Sequence, residues 1–377
     1  MQTPQNCSGI EYVWSDMGCG GGFAAHFQLA AAQWMRAASI TGYKMPVLII
    51  GSIWKYSEGK ECAHVGGDWT CFFLPMSGCQ AEIKKTGKQV QVDFNKLTTF
   101  TDELIPAQFR HVGIAYWWGM VQERMFRFQP AVRRYIYREA ARLNAGQGFP
   151  GVSLEALEPA WLLKNEGSYS GTATPIAGMH VRHGDKHTDG FLHHSMAAEL
   201  RAVHASPQCG TADSAFIADA AGTQKQKVCW VQDTEGKLYK LPIYVASDDA
   251  AVLAKAAEMG HLVDTQGVSQ TTHSTGMLTT LLHKPEMGYN ASLEIIRDVF
   301  FLSRCSTLVG IAASQIFRMA VGISNATGTL VAATAMDHAQ IPRIAQMSAK
   351  YHLPLVEHFA TPPPPAAAQV QKEKGMV

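Results

Sequence analysis

The fold is decided by the stretch Ile176-Ala177-Gly178-Met179-His180-Val181-Arg182-His183-Gly184-Asp185-Lys186. Residues 176–181 predict a strand, and the residues after it carry charged side chains at the strand's end. Downstream, short strands are predicted at 243–246, near 262, and at 308–311 and 330–333, with helices at 249–259, 293–304 and 315–323. Strands that alternate with helices favour a parallel, doubly wound sheet, whose ligands bind at the carboxyl ends of the strands.

The first half of the chain also has an α/β pattern. A glycine cluster at 20–22 precedes a helical apolar face from Phe27 to Met35, and Gly42 ends this helix. The same half contains a predicted buried strand at 47–50, a stapled loop region at 55–80, and a helix that begins at Pro130 and ends before Gly146.

These patterns predict two α/β domains and a tail. The N-terminal domain, with disulfide-rich loops, covers 1–165, a Rossmann-like domain covers 166–358, and a disordered proline-rich tail covers 359–377. An excursion at 204–240 is bounded by Cys209 and Cys229.

Composition narrows the class of protein. Hydrophobic residues make up 47% and charged residues 17% of the chain, which indicates a core-rich globular protein. Thirty-two basic and 31 acidic residues leave a net charge of +1, so no electrostatic footprint for nucleic acid is present. No apolar run of about 18 residues predicts a membrane span, and residues 1–8 do not resemble a signal peptide.

The cysteines favour an oxidising compartment. Five of the eight cysteines lie within the first 80 residues, which is typical of disulfide-stapled loops. Zinc is the alternative, but the spacings of Cys62, Cys71 and Cys79 are not those of zinc knuckles. Sequons at Asn6, Asn290 and Asn325 agree with a secretory lumen.

The charged segment after residue 181 suits a phosphate. The guanidinium of Arg182 can donate two hydrogen bonds to a phosphate, and Lys186 adds a second positive charge. Gly184 between them permits a tight turn. Two alternatives stay open. One is a solvated turn with an Arg–Asp pair. The other is a metal site, although no HExxH spacing occurs; its ligands would be His180, His183, His187, Asp189, His193 and His194.

Seven motifs in the same order resemble the α-1,6-fucosyltransferases, which include animal core fucosyltransferases and rhizobial nodulation fucosyltransferases. Residues 180–186 resemble the family's His-Val-Arg-Arg-Thr-Asp-Lys signature. The other matching segments are Gly18 to Gly22, Trp54 to Tyr56, Gly66 to Cys79, Trp117 to Pro130, Ile243 to Asp249, and Asp298 to Ala320. The match spans about residues 7–335.

The resemblance implies a GT-B-like fold and an inverting, metal-independent transfer of fucose from GDP-fucose to a glycan or glycoprotein acceptor, without a cofactor. Arg182 would clamp the β-phosphate, since cationic side chains can replace Mg²⁺ at a leaving diphosphate. Amides of Gly20 and Gly22 would form an anion nest at a helix N-terminus, or only a tight turn.

The same resemblance assigns the remaining donor contacts. Asp298 would read the guanine edge beside His180, or would be an ordinary helical carboxylate paired with Arg304 or solvent. Three further residues would contact the nucleotide, namely Ser314, Gln315 and Tyr56. Ser314 could equally be only an N-cap, and Tyr56 a core residue.

Catalysis and the disulfides also follow from the resemblance. Asp189 would be the general base, with Lys186 and His183 in the catalytic set, and His183 or His187 as alternative bases. Cys7 would pair with Cys79, Cys209 with Cys229, and Cys19 with Cys62 or Cys71. Whichever of Cys62 and Cys71 does not pair with Cys19 would be a free thiol, and so would Cys305.

Departures from the family keep other functions open. His183 replaces an arginine of the signature, and the tail and the excursion bear on the acceptor. The alternatives are a transferase with another donor or acceptor, an inactive glycan-binding scaffold, and a zinc hydrolase. The expected location is the Golgi or another secretory lumen. Membrane attachment is expected only through an anchor that is absent from this chain, and the protein could form a homodimer.

Overall fold

The structure is a computed structural model of the 377-residue chain. It describes residues 8, 11–16, 22–43, 47–50, 54–57, 59–78, 80, 82, 86–90, 102–147, 177–182, 202–203, 216–218, 225–227, 230–232, 238–240, 243–263, 287–330 and 332–337.

The described residues form an α/β protein. The helices are α1 Phe23–Ile40, α2 Ile114–Met125, α3 Pro130–Gln147, α4 Ala250–Glu258, α5 Gly288–Leu302 and α6 Gln315–Ala326. The strands are β1 Glu11–Asp16, β2 Val47–Ile50, β3 Lys88–Gln89, β4 Ala177–Val181, β5 Phe216–Ala218, β6 Lys225–Lys227, β7 Trp230–Gln232, β8 Leu238–Lys240, β9 Ile243–Ser247, β10 Thr307–Gly310 and β11 Ala332–Ala335. Short 3₁₀ helices lie at Lys55–Ser57, Lys60–Val65, Trp69–Cys71, Asp102–Leu104 and Ala107–Val112.

The second half contains the parallel sheet that the sequence predicts. Its four strands lie in the order β11-β10-β4-β9, and every neighbouring pair is parallel. The chain runs from β4 to β9 on one side and returns to β10 on the other side of β4. The boundary between β4 and β10 is therefore the switch point at which open α/β sheets bind ligands.

A second, smaller parallel sheet lies in the first half. Its order is β2-β1-β3, with Val13 opposite Val47. Strand β2 was predicted from the sequence but β1 was not, because residues 11–16 mix polar and apolar side chains. The domain boundaries stay predictions, since residues 148–176 lie outside the described part of the chain.

Several predicted element ends differ from the structure. Helix α3 continues through Gly146 to Gln147, because a glycine costs a helix only about 1 kcal/mol and does not by itself end it. Leu262 forms an isolated bridge with Tyr244 instead of a strand, and β11 begins at Ala332, two residues later than predicted. Within 204–240 the structure has two hairpins, β5-β6 and β7-β8.

Helices α5 and α6 pack against elements of the first half. Phe300 of α5 lies 5.9 Å from Phe128 between ring centroids, and both belong to one buried cluster with side chains of α1 and α2. Helices α2 and α6 approach so closely that a Cβ on Gly119 would lie 2.2 Å from the carbonyl oxygen of Gly322. This packing holds the beginning of α6 near the N-terminal elements.

The described cysteines correct the predicted pairing. Cys62 is bonded to Cys71, with 5.4 Å between the Cα atoms, so the prediction that one of them pairs with Cys19 and the other stays free is wrong. The physical reason is local. Gly66 and Gly67, with φ of 67° and 72°, turn the chain between two 3₁₀ helices and bring the two sulfurs together.

Cys305 is a buried free thiol, as predicted, and burial raises its pKa. The predicted partners Cys7, Cys19, Cys79, Cys209 and Cys229 lie outside the described residues.

The described segments contain neither a candidate membrane span nor a candidate metal-binding cluster. Among them, no helix is both long enough and apolar enough to cross a membrane. Across the same segments, no group of three or more His, Cys, Asp or Glu residues could hold a metal ion.

Candidate active site

Arg182 lies at the carboxyl end of the central strand β4, at the switch point. Strand β9 pairs with β4 so that Ser247 is opposite Val181, and this register brings the residue after each strand together. Nη1 of Arg182 donates to Oδ2 of Asp248, and the two side chains are 17% and 14% exposed. Asp248 therefore orients the guanidinium at the sheet edge.

Asp249, the next residue along the chain, has a different role from Asp248. Its carboxylate accepts a hydrogen bond from Ala251 N at 2.8 Å and caps α4. Asp249 is thus the N-cap of α4, close to the predicted start of this helix, whereas Asp248 pairs with Arg182.

His180 is a buried, neutral imidazole two residues before Arg182. Its Nδ1 has no hydrogen-bond partner among the residues that the structure describes. Burial is the main cause that lowers the pKa of His180 to about 4, the charge of Arg182 adds to it, and Asp248 acts in the opposite direction. A neutral ring with a buried polar atom in the site is a candidate ligand contact.

Asp298 of α5 is held in a polar network. Its Oδ1 accepts from the Tyr244 hydroxyl at 2.7 Å and from Arg297 Nη2 at 2.8 Å and Nε at 3.0 Å. None of the described residues donates to Oδ2. The alternative that paired Asp298 with Arg304 is wrong, because its ion pair is with the adjacent Arg297.

The network around Asp298 extends to both halves of the chain. Burial disfavours the charged form of Arg297, yet the Asp298 carboxylate raises its pKa above the usual value. Tyr135 of α3 hydrogen-bonds Arg297, and burial raises the pKa of Tyr135. Burial and the Asp298 charge together raise the pKa of Tyr244. One oxygen of Asp298 is thus fixed by protein, and its side chain is 17% exposed.

The loop before α6 is fixed by a carboxylate. Oδ1 of Asp337 accepts from Ala312 N at 2.6 Å, and Oδ2 accepts from Ala313 N at 2.9 Å. Arg318, in the first turn of α6, is also buried. Burial lowers its pKa to about 10, and the charge of Asp337 acts in the opposite direction.

Ser314 and Gln315 begin α6 beside the switch point. Ser314 occupies the N-cap position and is buried, but its side chain makes no capping hydrogen bond. Gln28 of α1 donates through Nε2 to the carbonyl oxygen of Gln315. The side-chain Oε1 of Gln315 is buried and has no partner within the described segments. Helix α1 therefore reaches the beginning of α6.

Gly22 and Tyr56 meet at the beginning of α1. Gly22 is the N-cap of α1, and a Cβ added to it would lie 3.9 Å from the Tyr56 hydroxyl oxygen. Ser292 of α5 donates to the Tyr56 carbonyl at 2.8 Å. Tyr56 is a fully buried core residue, which is the alternative role predicted for it, and its hydroxyl nevertheless points toward the helix N-terminus.

The arrangement has a definite chemical character. A cation stands at a strand end, a buried neutral imidazole lies in the same strand, and a nearby helix carries a carboxylate with one oxygen to which no described residue donates. The cation can bind an anionic group of a ligand, and the carboxylate oxygen can accept a hydrogen bond from a ligand N–H group. Four predicted site residues, Gly20, His183, Lys186 and Asp189, lie outside the described residues.

Three residues of this region were missed from the sequence. Tyr244 and Arg297 hold Asp298, and Asp337 fixes the α6 loop. Arg297 had a signal, since it adjoins the carboxylate of Asp298 between the apolar stretches 295–296 and 299–302 of its helix. Tyr244 and Asp337 had none, because their partners are distant in sequence.

Comparisons with known proteins find a likeness only among solved structures. No family model and no curated protein sequence matches the chain. The fucosyltransferase NodZ from Bradyrhizobium is 15% identical at a TM-score of 0.43, with 88% of this chain and 96% of that chain covered. POFUT1 in complex with GDP is 12% identical at a TM-score of 0.30, with 89% and 100% covered. NodZ α-1,6-fucosyltransferase soaked with GDP-fucose is 15% identical at a TM-score of 0.45, with 88% of this chain and 96% of that chain covered.

Proposed function

We propose that this protein is a glycosyltransferase that moves fucose from GDP-fucose to a glycan acceptor, with inversion, an α-1,6 linkage and no metal ion. One observation carries the proposal. Arg182 and His180, the residues that match the fucosyltransferase signature, lie at the switch point of a parallel sheet beside the beginning of α6. This is where an open α/β sheet binds a nucleotide.

Arg182 is proposed to hold the β-phosphate of the donor. When the glycosidic bond breaks, negative charge develops on the leaving GDP, and a guanidinium already oriented by Asp248 stabilises that charge without reorganisation. Backbone donors at Gly20, Gly22 and Gln315 would add to the same electrostatic effect.

The guanine is proposed to lie between His180 and Asp298. Oδ2 of Asp298 would accept N–H groups of guanine that adenine does not present together, while Oδ1 stays with Tyr244 and Arg297. The neutral imidazole of His180 would offer a hydrogen-bonding nitrogen to the base.

The acceptor hydroxyl needs a base as the anomeric carbon is attacked. Asp189 is proposed for this task, with Lys186 as a further cation and His183 as a member of the same loop. The protein is proposed to work on glycan or glycoprotein acceptors in the Golgi or another secretory lumen, and to use no cofactor besides the donor.

A second candidate function is glycan binding without catalysis. His183, which replaces the second arginine of the signature, favours it. GDP binding separates the two functions, since a scaffold that has lost the donor site gains nothing from GDP.

The test is calorimetric titration of GDP into the wild type, Arg182→Ala and Arg182→Lys. Charged hydrogen bonds are worth about 1.5–3 kcal/mol, so we expect Arg182→Ala to weaken GDP binding by about 10- to 100-fold. Arg182→Lys keeps the charge and loses the fork, so its loss should be smaller. Arg142→Ala is the matched control, because Arg142 forms a separate ion pair with Glu139.

Two further measurements test whether a metal ion is needed and what the product is. A chelator should leave GDP affinity unchanged, and mass spectrometry should find one deoxyhexose added to the acceptor from GDP-fucose. Wild-type protein that is folded but does not bind GDP would contradict the proposed transferase and leave the scaffold.

A further inference from the structure

A cavity of about 690 Å³ opens between α3 and α5, and the residues that line it include neither Arg182 nor the beginning of α6. Its walls include Arg134, Tyr135 and Arg138 of α3, and Tyr289, Asn290 and Leu293 of α5. The volume lies within the range of about 300–1,000 Å³ that is usual for small-molecule sites. We refer to it as the α3–α5 cavity.

The α3 wall carries two positive charges one helical turn apart. Arg134 and Arg138 are exposed, and neither forms an ion pair with any residue that the structure describes. Other arginines of the helix are engaged, since Arg142 pairs with Glu139 and Arg133 donates to the Phe128 carbonyl. Like charges at this spacing repel, so an anionic group between the two guanidinium groups would be stabilised.

The opposite wall is aromatic and polar. Tyr289 stacks on Phe72, with 5.2 Å between ring centroids and 26° between the planes, and this contact holds the ring in place. Asn290 adds an exposed amide beside it. One negative charge acts on this wall. Burial is the main cause that raises the pKa of Tyr289, and the charge of Glu61 raises it further. The two arginines therefore make α3 the basic side of the cavity, where the charges of Glu139 and Asp298 also act on Tyr135.

These groups together suit a sugar ring with a negative charge. An aromatic face packs against the C–H face of a pyranose, and an arginine side chain binds a carboxylate or a sulfate in bidentate geometry. A neutral sugar would make only the aromatic contact, and the two exposed arginines would stay hydrated.

We propose that the α3–α5 cavity binds an acidic oligosaccharide, with its anionic group on Arg134 and Arg138. The choice of a carbohydrate rests on the proposed function, in which the acceptor is a glycan. Tyr135 links the cavity to the candidate donor site, because it hydrogen-bonds Arg297, the partner of Asp298. The cavity would thus bind an acidic branch of the acceptor outside the reacting centre.

The experiment is titration calorimetry of the full chain with three trisaccharides, namely trigalacturonic acid, neutral galactotriose and sulfated galactotriose. We expect either acidic trisaccharide to bind at least about tenfold more tightly than the neutral one, since two charge-assisted contacts are lost with the latter. The tighter of the two acidic ligands identifies carboxylate or sulfate as the natural group.

Matched variants then locate the site. Arg134→Gln and Arg138→Gln should each weaken the acidic ligand by about fivefold, the upper end for an exposed ion pair, and should leave galactotriose unchanged. Arg110→Gln is the control, because Arg110 is exposed and lies outside the cavity.

Three results would overturn the inference. These are equal affinity for acidic and neutral trisaccharides, acidic binding that both variants leave intact, and competition by GDP, which would make the cavity part of the donor site. GDP titration without sugar tests the proposed transferase separately. A protein that binds the acidic sugar at Arg134 and Arg138 but not GDP would retain this inference and lose that function.

Discussion

Replacing Asp298 with asparagine separates a structural task of this carboxylate from its proposed contact with guanine. Its Oδ1 accepts from Tyr244 at 2.7 Å and from Arg297 at 2.8 Å, and Arg297 is only 3% exposed. Asparagine retains an acceptor oxygen but removes the negative charge beside the buried guanidinium. Removing one partner of a buried pair costs about 3–5 kcal/mol. We expect about 2–3 kcal/mol here, because Asp298 is partly exposed and one acceptor remains.

The measurement is urea unfolding followed by tryptophan fluorescence, with two controls. Tyr244→Phe removes one hydroxyl and keeps the ion pair, so it should cost about 1 kcal/mol. Asp249→Asn makes the same chemical change at the N-cap of α4, where asparagine caps as well as aspartate, so stability should change by less than about 0.5 kcal/mol. GDP and ADP are then titrated into each folded variant, and only Asp298→Asn should lose the preference for GDP.

Two results would contradict the roles assigned to Asp298. Asp298→Asn protein as stable as the wild type would mean that the carboxylate does not compensate the Arg297 charge. A destabilised variant that still prefers GDP over ADP to the same degree would limit Asp298 to a structural role and would remove it from the donor site.

Two further predictions concern stability. Cys62→Ser should lower the free energy of unfolding by about 2.5–3 kcal/mol in the chain-entropy model, because the bond to Cys71 closes a loop with a sequence separation of 9. Urea unfolding of the wild type with and without a reductant measures this effect. An unfolding midpoint that does not change under reduction would contradict the prediction. The pKa of His180 is lowered to about 4, so between about pH 6.5 and 4 the unfolded chain takes up a proton that the folded chain does not. The free energy of unfolding should therefore fall as the pH decreases through this range, by up to about 1.4 kcal/mol per pH unit. In His180→Gln this dependence on pH should be weaker. The same slope in the wild type and the variant would show that another group titrates.

The main helices and the parallel sheet of the second half were predictable because their signals are local. Alternating apolar strands and helices indicate β4, β9 and β10 without reference to distant residues. Since parallel strands end at one edge, the position of Arg182 after β4 was enough to place it at the sheet's carboxyl end. Likewise, Pro130 and Asp249 indicate where α3 and α4 begin, because their effect on a helix start depends only on the adjacent backbone.

Partners that are distant in sequence were decided by the tertiary structure. Asp298 meets Tyr244 across a separation of 54 residues, and Arg182 meets Asp248 across 66. Their pairing depends on how β9, β4 and α5 pack, which no local pattern specifies. The α3–α5 cavity has the same origin, because its basic wall and its aromatic wall come from helices more than one hundred residues apart. A sequence pattern determines which face of an element is apolar, whereas the neighbour of a polar side chain is determined only when those faces pack together.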